Sequence, residues 1–237
     1  MEPSARFEEV KIPLRDSIAG TDALSGVLGV PEWWPTGARV GIVLAHGQSA
    51  TMADPLIEQL QQELTQRKFL TLRFNFPFAE VGRKRPDNLL VLERAYRAAI
   101  AVLGRDPTSA PAHLFLGGKN LGARVAAQLG AAGTHVDGFF FLGFPLHRQD
   151  KPKDVHAEEL FRIISPMLFV QGTHDRSCDL DVLRRTLGRV GAPTTLHLVE
   201  EADHGLRVAK KFSRTPEEVR DEVRATLESW IEKVLGG

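Results

Sequence analysis

With 237 residues, 30 basic and 30 acidic side chains and a formal net charge of +0, the chain sits near the upper size for one hydrophobic core. It has no net field that would draw it to nucleic acid or an anionic membrane. The lone Cys178 excludes an internal disulfide, and Met1-Glu2-Pro3-Ser4 lacks the basic-then-apolar opening of a secretory signal, so a reducing, cytoplasmic home is expected. No apolar run approaches the roughly 20 residues that cross a bilayer. The expectation is a single domain over 1–237 that takes a small ligand or a protein partner, with no membrane contact.

Short apolar runs alternate with helix-length amphipathic stretches, as in strand-helix units around a mostly parallel sheet. An antiparallel pair is expected first, at about Phe7 to Pro13 and Gly26 to Val30, then a buried strand from Val40 to Ala45 ending at His46-Gly47. Next come a helix around Pro55 to Arg67, a strand from Leu70 to Phe74 and a loop rich in Pro, Gly and Arg. A helix from about Asn88 to Leu103 follows, with Leu92, Tyr96, Ala99 and Leu103 on one face. His113 to Leu116 reads as a strand running into Gly117-Gly118, and the next helix turns Leu121, Val125 and Leu129 inward. Further strands are expected at Gly138 to Gly143, Met167 to Gly172 and Thr194 to Val199, the first with Phe139, Phe140 and Phe141 buried on both faces. The C-terminal helix opens on a capping box, Thr215, Pro216 and Glu218, and buries Val219, Val223, Leu227, Trp230 and Val234. No repeat is present, and no stretch between strands is long enough for a large lid.

Chemistry concentrates in Gly117-Gly118-Lys119-Asn120-Leu121-Gly122, between a strand and a helix. Gly118 and Gly122 match the nucleophile elbow Gly-x-Ser-x-Gly, whose strained turn thrusts its third residue above the sheet, but that residue is Asn120. The other parts follow in the order such a site requires. Asp175, just after a buried strand, occupies the position of the acid that orients a histidine. His204, after the last strand and before the final helix, occupies that of the base. His46-Gly47-Gln48 corresponds to the segment that supplies one oxyanion-hole amide, the other coming from Leu121, so the amides of Gln48 and Leu121 are the expected donors. His46, Gly47 and Lys119 are the expected substrate neighbours.

These residues resemble the lidless branch of the α/β-hydrolase superfamily related to dienelactone hydrolases, which also contains testis-expressed hydrolase-like proteins and a chromatin-complex subunit. The resemblance covers nearly the whole chain. It rests on Leu44-Ala45-His46-Gly47, Arg73-Phe74-Asn75-Phe76-Pro77, Gly82-Arg83-Lys84-Arg85-Pro86-Asp87, Gly117-Gly118-Lys119, Leu142-Gly143-Phe144-Pro145-Leu146, Phe169-Val170-Gln171-Gly172-Thr173 and Asp203-His204. It implies an α/β-hydrolase fold of about eight strands with helices on both sides. It also implies hydrolysis of small esters, lactones or other acyl compounds, with no metal and no organic cofactor.

Asn120 departs from the serine usual in that branch, and a carboxamide is a very weak nucleophile that His204 does not activate. Several readings stay open: a hydrolase scaffold that binds without turnover, a pseudo-enzyme that recruits a partner, deamidation of Asn120 to a carboxylate nucleophile, or a substitute nucleophile among Ser49, Ser177 and Cys178. Deamidation is disfavoured by the bulky Leu121 that follows. Arg83, Lys84 and Arg85, with Arg73 and Lys119, can form a positive rim for an acidic substrate, although a charged loop is more often simply solvated. Trp33 and Trp34 either pack at the sheet edge, the better reading, or make a homodimer contact. Basic residues are spread along the chain with no nucleic-acid motif.

Overall fold

The computed structural model describes residues 4–18 and 20–236. The chain forms two compact units, residues 1–118 and 119–237. The first contains β1 (Arg6–Ile18), β2 (Thr21–Val30), β3 (Val40–Ala45), α1 (Pro55–Gln66), β4 (Leu70–Phe74), α2 (Pro77–Glu80), α3 (Leu89–Leu103) and nearly all of β5 (His113–Lys119). Its strand order is β1-β2-β4-β3-β5. β1/β2 and β2/β4 run antiparallel, while β4/β3 and β3/β5 run parallel. The opening hairpin is longer than the apolar pattern indicates, with pairs from Arg6↔Val30 to Ile18↔Thr21. Much of β1 faces solvent, so its outer residues carry no hydrophobic signal.

All six residues of β3 are buried, as a parallel strand covered on both faces requires. Asp54 caps α1 by accepting from the Leu56 and Ile57 amides, with Pro55 at the first helical position. Where a loop is expected after Phe74, Pro77–Glu80 makes one helical turn. Arg73 is not a rim residue. It is 8% exposed, and its guanidinium donates to Gln61 Oε1, the Met52 carbonyl and Glu58 Oε1 at 2.6, 2.7 and 2.7 Å.

The second unit contains α4 (Leu121–Ala131), β6 (Gly138–Leu142), β7 (His147–Arg148), β8 (Lys151–Val155), β9 (Met167–Gly172), α5 (Leu180–Leu187), β10 (Thr194–Val199) and α6 (Pro216–Val234). Its main strands lie in the order β6-β9-β10, all parallel. Phe139, Phe140 and Phe141 are fully buried in β6. The α6 capping box forms as read: Glu218 N–H donates to Thr215 Oγ1 at 3.2 Å and Thr215 N–H to Glu218 Oε2 at 2.7 Å. Ile231, rather than Val234, completes the buried stripe of α6, and Leu121 is half-buried rather than inward. The β7/β8 hairpin has no counterpart in the sequence reading, because Lys151–Val155 is polar and exposed except at its last residue.

One buried hydroxyl ties the middle of the first unit together. Tyr96 Oη lies 3.0 Å from the Val43 carbonyl and 2.7 Å from that of Gly117, and accepts from the Gly117 amide at 3.0 Å. Burial pushes this phenol far above its usual range, so it stays a donor. Tyr96→Phe leaves backbone groups of two strands short of a partner and is expected to cost about 2 kcal/mol in urea unfolding. A loss below about 0.5 kcal/mol contradicts that role.

Candidate active site

Asn120 follows β5 directly and has φ 48° and ψ −107°, a backbone state rarely adopted by a residue with a Cβ. The turn explains the glycine before it. A Cβ on Gly118 would lie 2.4 Å from the Ala45 carbonyl oxygen, so only glycine lets the end of β5 run this close to β3. The Asn120 amide donates to the Leu142 carbonyl at 2.9 Å, which pins the turn to the end of β6.

The Asn120 side chain does not cap α4. Its Nδ2 donates to the His204 backbone carbonyl at 2.5 Å and reaches the Gly143 carbonyl at 3.4 Å. Gly143 has φ 65°, and a Cβ there would stand 2.4 Å from the same His204 oxygen, so Gly143 admits the His204 loop to the elbow.

His204 Nδ1 lies 2.7 Å from Asp175 Oδ2. Against a carboxylate Nδ1 carries a proton, which leaves Nε2 as the edge of the ring turned away from Asp175. The Asp175 side chain is fully buried and the His204 side chain 26% exposed. Gln171 Nε2 donates to Asp175 Oδ2 at 2.5 Å and the Ser177 amide to Oδ1 at 2.7 Å, so both oxygens are satisfied. Gln171 also accepts from the Phe144 amide at 2.9 Å. The one local signal for Gln171 in the sequence is a polar residue near the end of a fully buried strand.

Asn120, His204 and Asp175 are thus joined by hydrogen bonds within the second unit. Lys119, the last residue of β5, is 8% exposed, and Leu121 opens α4, where first-turn amides have no intrahelical partner. In the first unit Gln48 and Ser49 lie exposed on the turn after β3. A cavity of about 380 Å³ there is lined by residues including Gln48, Ser49, Phe78, Arg83 and Lys84. Arg83 is paired with Asp87 at 2.6 Å. Cys178 is a poor nucleophile, since burial and then the charges of Asp175 and Asp179 push its thiol far up.

His46 and Gly47 are buried. His46 Nδ1 donates to the Gly47 carbonyl at 2.8 Å and Nε2 accepts from the Phe76 amide at 3.0 Å. Both ring nitrogens are therefore used in holding the exit turn of β3. Burial lowers the pKa of His46 from 6.5 to about 4.

A model of the alpha/beta hydrolase domain family matches residues 38–232. Among solved structures the chain is similar to an α/β serine hydrolase without a lid from Xanthomonas campestris, at 18% identity over 99% of this chain and 96% of that one, with a TM-score of 0.72. A dienelactone hydrolase from Anabaena variabilis matches at 17% identity over 97% and 98% of the two chains, TM-score 0.71. An α/β serine hydrolase homologue from Coxiella burnetii matches at 18% identity over 93% and 95%, TM-score 0.71. At these identities the likeness is one of fold.

His46 makes stability depend on pH. Above pH 6.5 the ring is neutral in both folded and unfolded chains; between 6.5 and about 4 only the unfolded chain takes the proton, so stability falls as pH falls. By pH 4.5 this is worth about 2 to 3 kcal/mol. Urea unfolding at pH 7 and 4.5 is expected to show that extra loss in the parent and not in His46→Gln, which keeps an acceptor for Phe76. Asn120→Asp sets a carboxylate against two carbonyl oxygens and is expected to cost about 2 kcal/mol or more at pH 7, with Asn120→Ser milder. Equal stability of the two variants argues against the contact with the His204 carbonyl.

Proposed function

Because the chain belongs to the alpha/beta hydrolase domain family, we propose that it is a serine-hydrolase-like protein for small esters, lactones or other acyl compounds in which Asn120 fills the nucleophile's place, leaving turnover absent or strongly impaired. One observation carries this reading: Asn120 has a positive φ at the elbow and its carboxamide is engaged by the His204 and Gly143 carbonyls. The N–H protons of that carboxamide are directed at two carbonyl oxygens, and removing one would not make its oxygen or nitrogen an effective nucleophile toward a carbonyl carbon. The Asp175-supported His204 is the general base such chemistry needs, kept without its usual partner. On the family pattern the amides of Gln48 and Leu121 are the oxyanion donors, and His46 contributes by shaping the turn that carries Gln48.

The same geometry weakens the deamidation reading, since a carboxylate at 120 would face two acceptors in place of two hydrogen bonds. A second reading, a non-catalytic module that binds a partner, is favoured by the exposed Phe161 and Ile164, 45% and 73% accessible. We assign the chain to the dienelactone-hydrolase-like branch that includes the testis-expressed relatives, as one domain. The family match runs unbroken over 38–232. No helix among the described residues is long and apolar enough to cross a membrane, and the single free Cys178 suits a reducing cytoplasm.

Asn120→Ser tests the reading directly on p-nitrophenyl esters and lactones, with Asn120→Ser/His204→Ala as control and a fluorophosphonate to label an activated hydroxyl. The serine variant is expected to exceed the parent by about 10³-fold or more and to be labelled, with both effects lost in the control. A folded serine variant that neither turns over nor labels overturns it in favour of the partner-binding module.

A further inference from the structure

The connection between β2 and β3 carries two adjacent tryptophans with different surroundings. Trp34 is half-buried, and its Nε1 donates to the Ser109 carbonyl at 2.8 Å. Trp33 is 65% exposed, so its large apolar ring is left in water. Both line a cavity of about 340 Å³, together with Phe69. Three cations, Arg39, Arg67 and Lys68, line the same cavity, against one acidic residue, Glu32. Among the described residues Arg39 and Lys68 make no salt bridge, and Arg39 is half-buried.

The backbone around this cavity is unusual as well. Trp33, Arg39 and Lys68 have φ of 61°, 51° and 73°. Lys68 occupies the position after the C-cap of α1, where glycine is the usual residue. Strained non-glycine positions of this kind concentrate where side chains are held for binding. Val40, at the start of β3, lines the cavity, while His46 follows the far end of that strand. Strand rise separates the two ends by roughly 20 Å, so this cavity belongs to the opposite edge of the first unit from the Gln48 turn.

We propose that this cavity is a second binding site, for a planar aromatic ring bearing an anionic group. The ring stacks on Trp33, and the carboxylate or phosphate is met by Arg39 and Lys68. The volume lies at the low end for small-molecule sites, enough for one or two fused rings with an acidic substituent. Aromatic faces supply sequence-independent stacking, and the excess of cations sets the sign of the ligand.

Calorimetric titration of the full chain at low salt tests this with two pairs of probes, 2-naphthoate against 2-naphthalenemethanol and AMP against adenosine. At least one anion is expected to bind about tenfold more tightly than its neutral twin, and which pair responds separates a carboxylate source from a phosphate source. Trp33→Leu, at an exposed position, is expected to weaken binding about tenfold without lowering Tm. Arg39→Gln/Lys68→Gln is expected to remove the preference for the anion while leaving the neutral twin's affinity unchanged, and His204→Ala to leave every Kd as it was. The proposal is overturned if neither anion binds at millimolar concentration, if each neutral twin binds as tightly as its anion, or if Trp33→Leu leaves the Kd unchanged.

Discussion

A carboxylate removed from water must be repaid in hydrogen bonds, and in this protein Asp175 organises the second unit around that need. Its side chain has no exposed surface and accepts from His204 Nδ1, Gln171 Nε2 and the Ser177 amide. Each donor belongs to a different part of the second unit: the loop before α6, the end of β9 and the turn leading to α5. Gln171 passes the constraint on by accepting from the Phe144 amide in the segment after β6. Arg124 steadies that segment from α4 through the carbonyls of Pro145 and His156 and through Glu159. The His204 ring is therefore oriented by the need to keep Asp175 solvated by protein, through contacts that do not involve the side chain at position 120.

That independence explains how the elbow keeps its shape with a different side chain. The turn is held by backbone: Gly118 admits the Ala45 carbonyl, the Asn120 amide meets the Leu142 carbonyl, and Gly143 leaves room for that of His204. Asparagine is well suited to positive φ, and its amide nitrogen finds an acceptor in the loop that bears His204. The carboxamide thus fastens the elbow to the His204 loop.

The first unit shows the same economy with buried polar groups. Tyr96, His46 and Arg73 each sit inside it with hydrogen-bond partners on neighbouring elements, so each fixes a strand end or a turn. Its exposed Trp33 and the cations Arg39 and Lys68 line a cavity that also takes in Val40 at the start of β3, away from the turn that follows that strand.

Hydrophobic pattern and order alone determine much of this protein. The buried runs Val40–Ala45 and Met167–Gly172, the capped helix at Thr215 and the placing of Asn120, Asp175 and His204 just after strands are legible because burial on both faces, capping chemistry and chain order leave local signals. Local pattern fails where the signal is weak. α5 buries only Leu183 and Leu187, β8 is polar, and Val234 keeps to the α6 stripe by its spacing but, as the last residue of the helix, is left half-buried. Tertiary structure alone decided that Arg73 is a buried anchor and not a rim charge, and that both nitrogens of His46 are spent on the turn. It also decided that the Asn120 amide faces the His204 carbonyl. Those outcomes depend on which backbone groups lie within about 3 Å of a side chain, and that proximity arises only when segments distant in sequence are folded together.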